Sequence, residues 1–90
     1  PRDDRGTHVR LLWGLAQAEL SAGQLSLART HIDQARAQAE NHPAWLLDID
    51  LVDKSILGAE GRVSAARQLA QSIFERRRAQ SVDAEDTLLA

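Results

Sequence analysis

The stretch over residues 44–57, AWLLDIDLVDKSIL, constrains this chain more than any other. Wound at about 100° per residue, Trp45, Ile49, Val52 and Ile56 fall on one stripe. Leu46 and Leu57 extend that stripe, while Leu47 and Leu51 lie on another side. A helix with so much apolar surface needs neighbours on more than one side. The stretch is therefore expected to be the inner helix of a small all-helical stack.

The rest of the composition agrees. Ninety residues suffice for one domain and are too few for two. Alanine and leucine dominate, aromatics make up 3%, and there is no tyrosine or methionine. Ala, Leu, Gln, Glu and Arg are strong helix formers. Valine and isoleucine are few and never alternate with polar residues over the length of a strand. The fold class expected is all-α.

Four helices are expected along the chain, with a short fifth segment. Residues 1–6, PRDDRG, read as a disordered lead-in. Thr7 is a fair N-cap, and a first helix runs to about residue 22 with Leu11, Leu12, Leu15, Ala16 and Leu20 inward. Gly23 ends it, because glycine takes the left-handed conformation of a C′ position without a Cβ clash. A second helix runs from about residue 24 to residue 40, with Leu25, Ala28, Ile32, Ala35 and Ala39 inward. The turn between them is so short that the two fold back as an antiparallel hairpin, spanning residues 7–41. Pro43 suits the first turn of the third helix, which ends near Gly58. The break at residues 58–61 leads to a fourth helix over residues 63–80, with Val63, Ala66, Leu69, Ala70, Ile73 and Phe74 inward. Residues 42–80 thus make a second hairpin. Ser81 or Asp83 caps a fifth segment within residues 81–90, which either docks through Leu88 and Leu89 or begins a further element. The start at Pro1 suggests a piece of a larger protein, although simple processing gives the same result.

Two segments echo each other. Gly23, Leu25, Ser26, Ala28 and Arg29 match Gly61, Val63, Ser64, Ala66 and Arg67, each at an offset of 61 − 23 = 38 residues. A fixed period in this range is the mark of stacked repeats. The glycine turns the corner, the leucine or valine starts the next helix against the first, and the alanine allows close approach. This pattern resembles the tetratricopeptide repeat, a helix–turn–helix unit of about 34 residues. Leu15, Ala16, Gly23, Ala28, Ile32 and Ala35 match its spacing in the first unit, and Gly61, Ala66, Ala70 and Ile73 in the second. There are departures: Glu19 replaces the usual aromatic, Asp53 and Lys54 stand where Leu15 and Ala16 stand in the first unit, Pro43 falls late, and the period is longer. The resemblance covers residues 9–78 and implies an α-solenoid of two hairpins.

Little points to catalysis. His8, His31 and His42 lie in separate places without the i, i+4 spacing of a helical metal site, and there is no cysteine. They are expected as surface or capping residues, and no metal or cofactor is expected. Asp48, Asp50 and Asp53 cluster, and Asp50 and Asp53 share a side. They read as a paired-carboxylate site, as a solvated helix edge, or as partners for neighbouring arginines, the last two being commoner. Arg76, Arg77 and Arg78 form the densest positive charge. Such a run complements a helix C-terminus, and at a net charge of −2 it makes no case for nucleic acid or an anionic membrane. No stretch is apolar enough to span a membrane. The lack of cysteine suits a cytoplasmic setting.

What the resemblance implies is a groove on the inner face of each hairpin's first helix, holding a peptide or a partner helix. Matched residue by residue, the groove takes Arg10, Trp13, Gln17 and Leu20 from the first hairpin and Asp48, Leu51 and Ser55 from the second. The basic and amide residues with which some relatives clamp a terminal carboxylate are not reproduced. A protein-interaction scaffold is the first expectation, with a texture like the helical arrays of large bacterial transcriptional regulators. A small-molecule sensor with a pocket under Trp13 and Trp45 is the second. A structural homodimer, joined through rows such as Leu47 with Leu51 and Leu88 with Leu89, is the third.

Overall fold

The computed structural model describes residues 4–89, with side chains through residue 81. Within them the chain forms four helices and no strand: α1 (Arg5–Ser21), α2 (Leu25–Gln38), α3 (Pro43–Ala59) and α4 (Val63–Leu89). The fold is all-α, as the composition predicts.

The two glycine turns are built alike. After α1, the Gly23 N–H donates to Leu20 O and the Gln24 N–H to Glu19 O. After α3, the Gly61 N–H donates to Gly58 O and the Arg62 N–H to Leu57 O. Both are Schellman caps, in which the backbone amides beyond the helix satisfy its last carbonyls. Gly23 and Gly61 hold φ of 78° and 80°. Replacing either by alanine is expected to cost about 1 kcal/mol, read from the urea unfolding midpoint. The cost is conformational alone, since a Cβ at either site meets nothing within 4 Å. Unchanged stability in both variants would mean that the left-handed caps do not persist in solution. Pro43 opens α3, where its missing N–H has no helical partner to lose.

Side-chain bonds fix the helix directions. His8 Nδ1–H donates to Gln38 Oε1 at 2.8 Å, and His31 Nδ1–H to Glu19 Oε1 at 2.7 Å, so α1 and α2 run antiparallel. Bonds from Arg29 to Glu60 and from Arg36 to Asp50 set α2 antiparallel to α3. The bond from Arg76 to Asp50 does the same for α4 against α3. Trp13 Nε1–H donates to Asp48 O at 3.1 Å and Gly6 lies against the Trp45 ring, two contacts in the same order that place α1 and α3 side by side and parallel. Each of these pairs packs together, and α4 touches neither α1 nor α2.

The core sits where α1, α2 and α3 meet. Val9, Leu12 and Ala16 come from α1, Ala28, Ile32, Ala35 and Ala39 from α2, and Ile49, Val52 and Ile56 from α3. Alanine on the α2 face lets its neighbours come close, and Ile32 fills the space this leaves. The central stretch is the inner helix expected: its stripe is buried, with Trp45 half-buried at one end.

Five expectations need correction. α1 begins at Arg5, so residues 5 and 6 are helical rather than lead-in, and Thr7 lies in the first turn rather than at the cap. Gly6 is tolerated there because the Trp45 indole closes over it: a Cβ at Gly6 would lie 3.2 Å from that ring. Leu11 and Leu15 are exposed, since the buried row of α1 runs through Val9, Leu12 and Ala16. Val63 and Phe74 are exposed, because among the described residues α4 has α3 alone to pack on and buries Ile73 alone of its described side chains. Finally, α4 continues through residues 80–83 to Leu89 without a break for a fifth segment. The side chains of Leu88 and Leu89 lie outside the described residues.

Candidate interaction cleft and the ion-pair seam

An open cleft of about 360 Å³ lies between the parallel helices α1 and α3. Gly6, Val9, Arg10 and Trp13 line it from α1, and Trp45, Asp48 and Ile49 from α3. One hydrogen bond and one ring stack hold its aromatic walls. The Trp13 N–H is committed to the Asp48 carbonyl, so that indole offers its face and not its donor. The Trp45 ring stacks on His42, with centroids 3.8 Å apart and planes 22° apart. His42 thus orients a wall from the N-cap position of α3, while its side chain makes no capping bond. Arg10 and Asp48, both exposed, put opposite charges on the rim.

Of the residues the sequence assigned to a groove, Arg10, Trp13 and Asp48 line this cleft. Gln17 is exposed elsewhere on α1, and Leu20 packs against the core. Leu51 is half-buried, and the exposed Ser55 donates its hydroxyl to Leu51 O at 3.5 Å. Gly6, Val9, Trp45 and Ile49 belong to the cleft and were not among the groove residues. The pairing of Trp13 with Trp45 was legible in the pocket reading.

Behind the cleft, a charged seam ties α2, α3 and α4 together. Asp50 and Asp53 are buried on α3, 5% and 7% exposed. Arg36 of α2 donates to both carboxylates. Arg76 of α4 donates to Asp50 at 2.6 Å, and Arg29 of α2 donates to Asp53 at 2.7 Å and to Glu60 at 2.8 Å. Among the described residues, no buried side-chain nitrogen or oxygen lacks a partner. The hydrogen bond to Glu60 holds the Arg29 guanidinium above its ordinary value against the opposing effect of burial, with Asp53 adding to it. The Arg29 bond likewise lowers the Glu60 carboxyl below its ordinary value. Burial alone would lower Arg36, but its bond to Asp50 and the charges of Asp50 and Asp53 outweigh that and raise it.

The aspartates are therefore partners of arginines, one of the alternatives the sequence left open. Each carboxylate accepts from two arginines, one on each oxygen. Among the described residues no group of three His, Cys, Asp or Glu side chains is placed to hold a metal ion, and no helix is long and apolar enough to cross a membrane. Comparison with family models, curated proteins and solved structures finds no match for this chain.

Proposed function

We propose that this chain is a non-catalytic protein-interaction module, built from two tetratricopeptide-like hairpins, that takes a peptide or a partner helix in the cleft between α1 and α3. The observation that carries the reading is the cleft itself: Trp13 held by a hydrogen bond and Trp45 by a ring stack, over an apolar floor, with Arg10 and Asp48 on the rim. An apolar side chain between the indoles, flanked by groups that meet the rim charges, is what such a site recognises. The tetratricopeptide likeness is supported by the matched glycine caps 38 residues apart and by the parallel course of α1 and α3. In a cytoplasmic transcriptional regulator, such a module would relay a signal by gaining or losing a partner segment. That role rests on likeness of texture alone.

One observation favours a second reading, a small-molecule sensor: the cleft volume falls within the range of small-ligand sites, about 300–1,000 Å³. Its openness weighs against that reading, because such sites enclose most of their ligand.

The chain's two tryptophans both line the cleft, so their emission reports its occupancy. Short random peptides selected by display on the intact chain should shift that emission saturably. Arg10→Glu, at an exposed rim position, should weaken the selected peptides about tenfold while leaving helicity unchanged. Trp13→Ala should abolish the binding. Peptides that bind both variants as well as the parent would overturn the reading. A saturable shift with small apolar fragments and none with peptides would replace it with the second.

A further inference from the structure

We propose that this chain stacks head to tail with a second copy of itself. The Leu11 and Leu15 row on α1 of one copy is seated on the face made by Leu47, Leu51 and Phe74 of the next. The inference does not depend on what the cleft binds.

The register of the repeat carries it. Within the chain, α3 covers one face of the first hairpin. It meets α1 at Val9 and Trp13, and it meets α2 at Arg36. Thirty-eight residues on, those three positions are Leu47, Leu51 and Phe74. The second hairpin thus carries the seat again, and nothing in the described chain sits on it. Phe74 is 63% exposed. α2 turns back after Gln38 into α3, whereas α4 runs straight past the equivalent position to Leu89. The described chain therefore returns no helix over this seat.

The complementary surface is on α1. The α3 residues that face the first hairpin include Ile49 and Asp53, and 38 residues earlier these are Leu11 and Leu15. They are 59% and 40% exposed, with no helix before α1 among the described residues to pack on. α1 can therefore be to a second copy what α3 is to α1.

Two details match across this seam. Inside the chain, Arg36 is paired with Asp53. At the seam between copies the equivalent residues are Phe74 and Leu15, so both members of the ion pair become apolar together. Asp53 also pairs with Arg29, whose equivalent Arg67 is exposed and keeps its charge in solvent at the edge of this seam. The cleft also repeats. A hollow of about 560 Å³ on α1 is lined by Gly6, Thr7, Arg10 and Leu11. Thr7, Arg10 and Leu11 stand 38 residues before Trp45, Asp48 and Ile49, the α3 wall of the cleft. Stacking would close this hollow against Leu47, Asp48 and Leu51, and would set Arg10 of the second copy beside Asp48. Head and tail are different surfaces, so the association is heterologous and stays open at both ends.

Sedimentation velocity over a concentration series tests it on the intact chain. The parent should pass from monomer through dimer to longer species as concentration rises. Leu11→Glu disables the head and Phe74→Glu the tail. Both replace exposed side chains, so circular dichroism should show unchanged helicity. Each variant alone should remain monomeric, with self-association weakened at least about tenfold. Mixed one to one, they should form a dimer that grows no further, because one intact head meets one intact tail. A monomeric parent at every concentration would overturn the proposal and leave the seat to a different chain. A dimer that survives in either variant, or a mixture that stays monomeric, would overturn it as well.

Discussion

Arg36→Met is expected to lower the stability of the chain by about 3 kcal/mol. Among the described residues Arg36 is the one cation that touches both Asp50 and Asp53, and both carboxylates are almost wholly withdrawn from water. They lie three residues apart on α3, on one face, and repel each other. Without Arg36, Asp50 keeps only Arg76 and Asp53 keeps only Arg29. Each remaining pair must then offset the desolvation of a buried anion and its like-charged neighbour. Methionine keeps the aliphatic stem, so the loss reports the charge and not the packing. Losing one member of a fully buried pair costs about 3–5 kcal/mol. The lower end applies here because the Arg36 side chain itself reaches solvent. Urea unfolding followed by circular dichroism measures the change, and Arg77→Met, at an exposed position, serves as the control, within about 0.5 kcal/mol of the parent. A loss under about 1 kcal/mol would show that water reaches the aspartates and that the seam is a surface network.

The same seam shows where the sequence was legible and where it was not. The helix ends at Gly23, Gly61 and Pro43 were readable because they depend on local backbone chemistry, whereas the start of α1 and the end of α4, which carry no such residue, were misplaced. The inward face of α2 was readable because Ala28, Ile32, Ala35 and Ala39 recur at helical spacing, although Leu27 is left exposed on another side. α1 was harder. Its leucines run around the helix at Leu11, Leu12 and Leu15, and periodicity alone could not choose between two rows. The choice is made by α3, which lies beside α1 and takes the row with Val9 and Leu12. Phe74 was misplaced for the converse reason, since its face needs a neighbour that the described chain does not supply. Asp50 and Asp53 were seen to share a side, but their partners are 14 to 26 residues away on two other helices. Only the tertiary arrangement selects Arg29, Arg36 and Arg76 from among the arginines. That arrangement also accounts for a departure from the repeat. Asp53 occupies the position of Leu15 because, in this unit, two arginines of α2 meet it.

The core makes the last expectation a matter of geometry. Ile32→Ala should cost about 3–4 kcal/mol, in the middle of the range for deleting a buried branched side chain. Ile32 is fully buried, and the other residues at the centre of the α2 face are Ala28, Ala35 and Ala39. Truncation turns that face into an unbroken row of alanines. The alanines beside it on α2 are too short to fill the space, and the spacing of α1 and α3 is fixed by the hydrogen bond from Trp13 to Asp48. The cavity therefore stays open, and the cavity cost adds to the lost transfer free energy. A chain of this size has a total stability of roughly 5–13 kcal/mol, so the loss is a large share of it. The thermal midpoint should fall by about 15–25 °C. Ile32→Val removes one methylene group and should cost only about 1 kcal/mol. Phe74→Ala deletes a larger side chain from an exposed site and should change the dilute monomer by less than about 0.5 kcal/mol. Burial and not size sets this order. If Ile32→Ala and Phe74→Ala lowered the midpoint equally, the three-helix core would not be what holds this chain together.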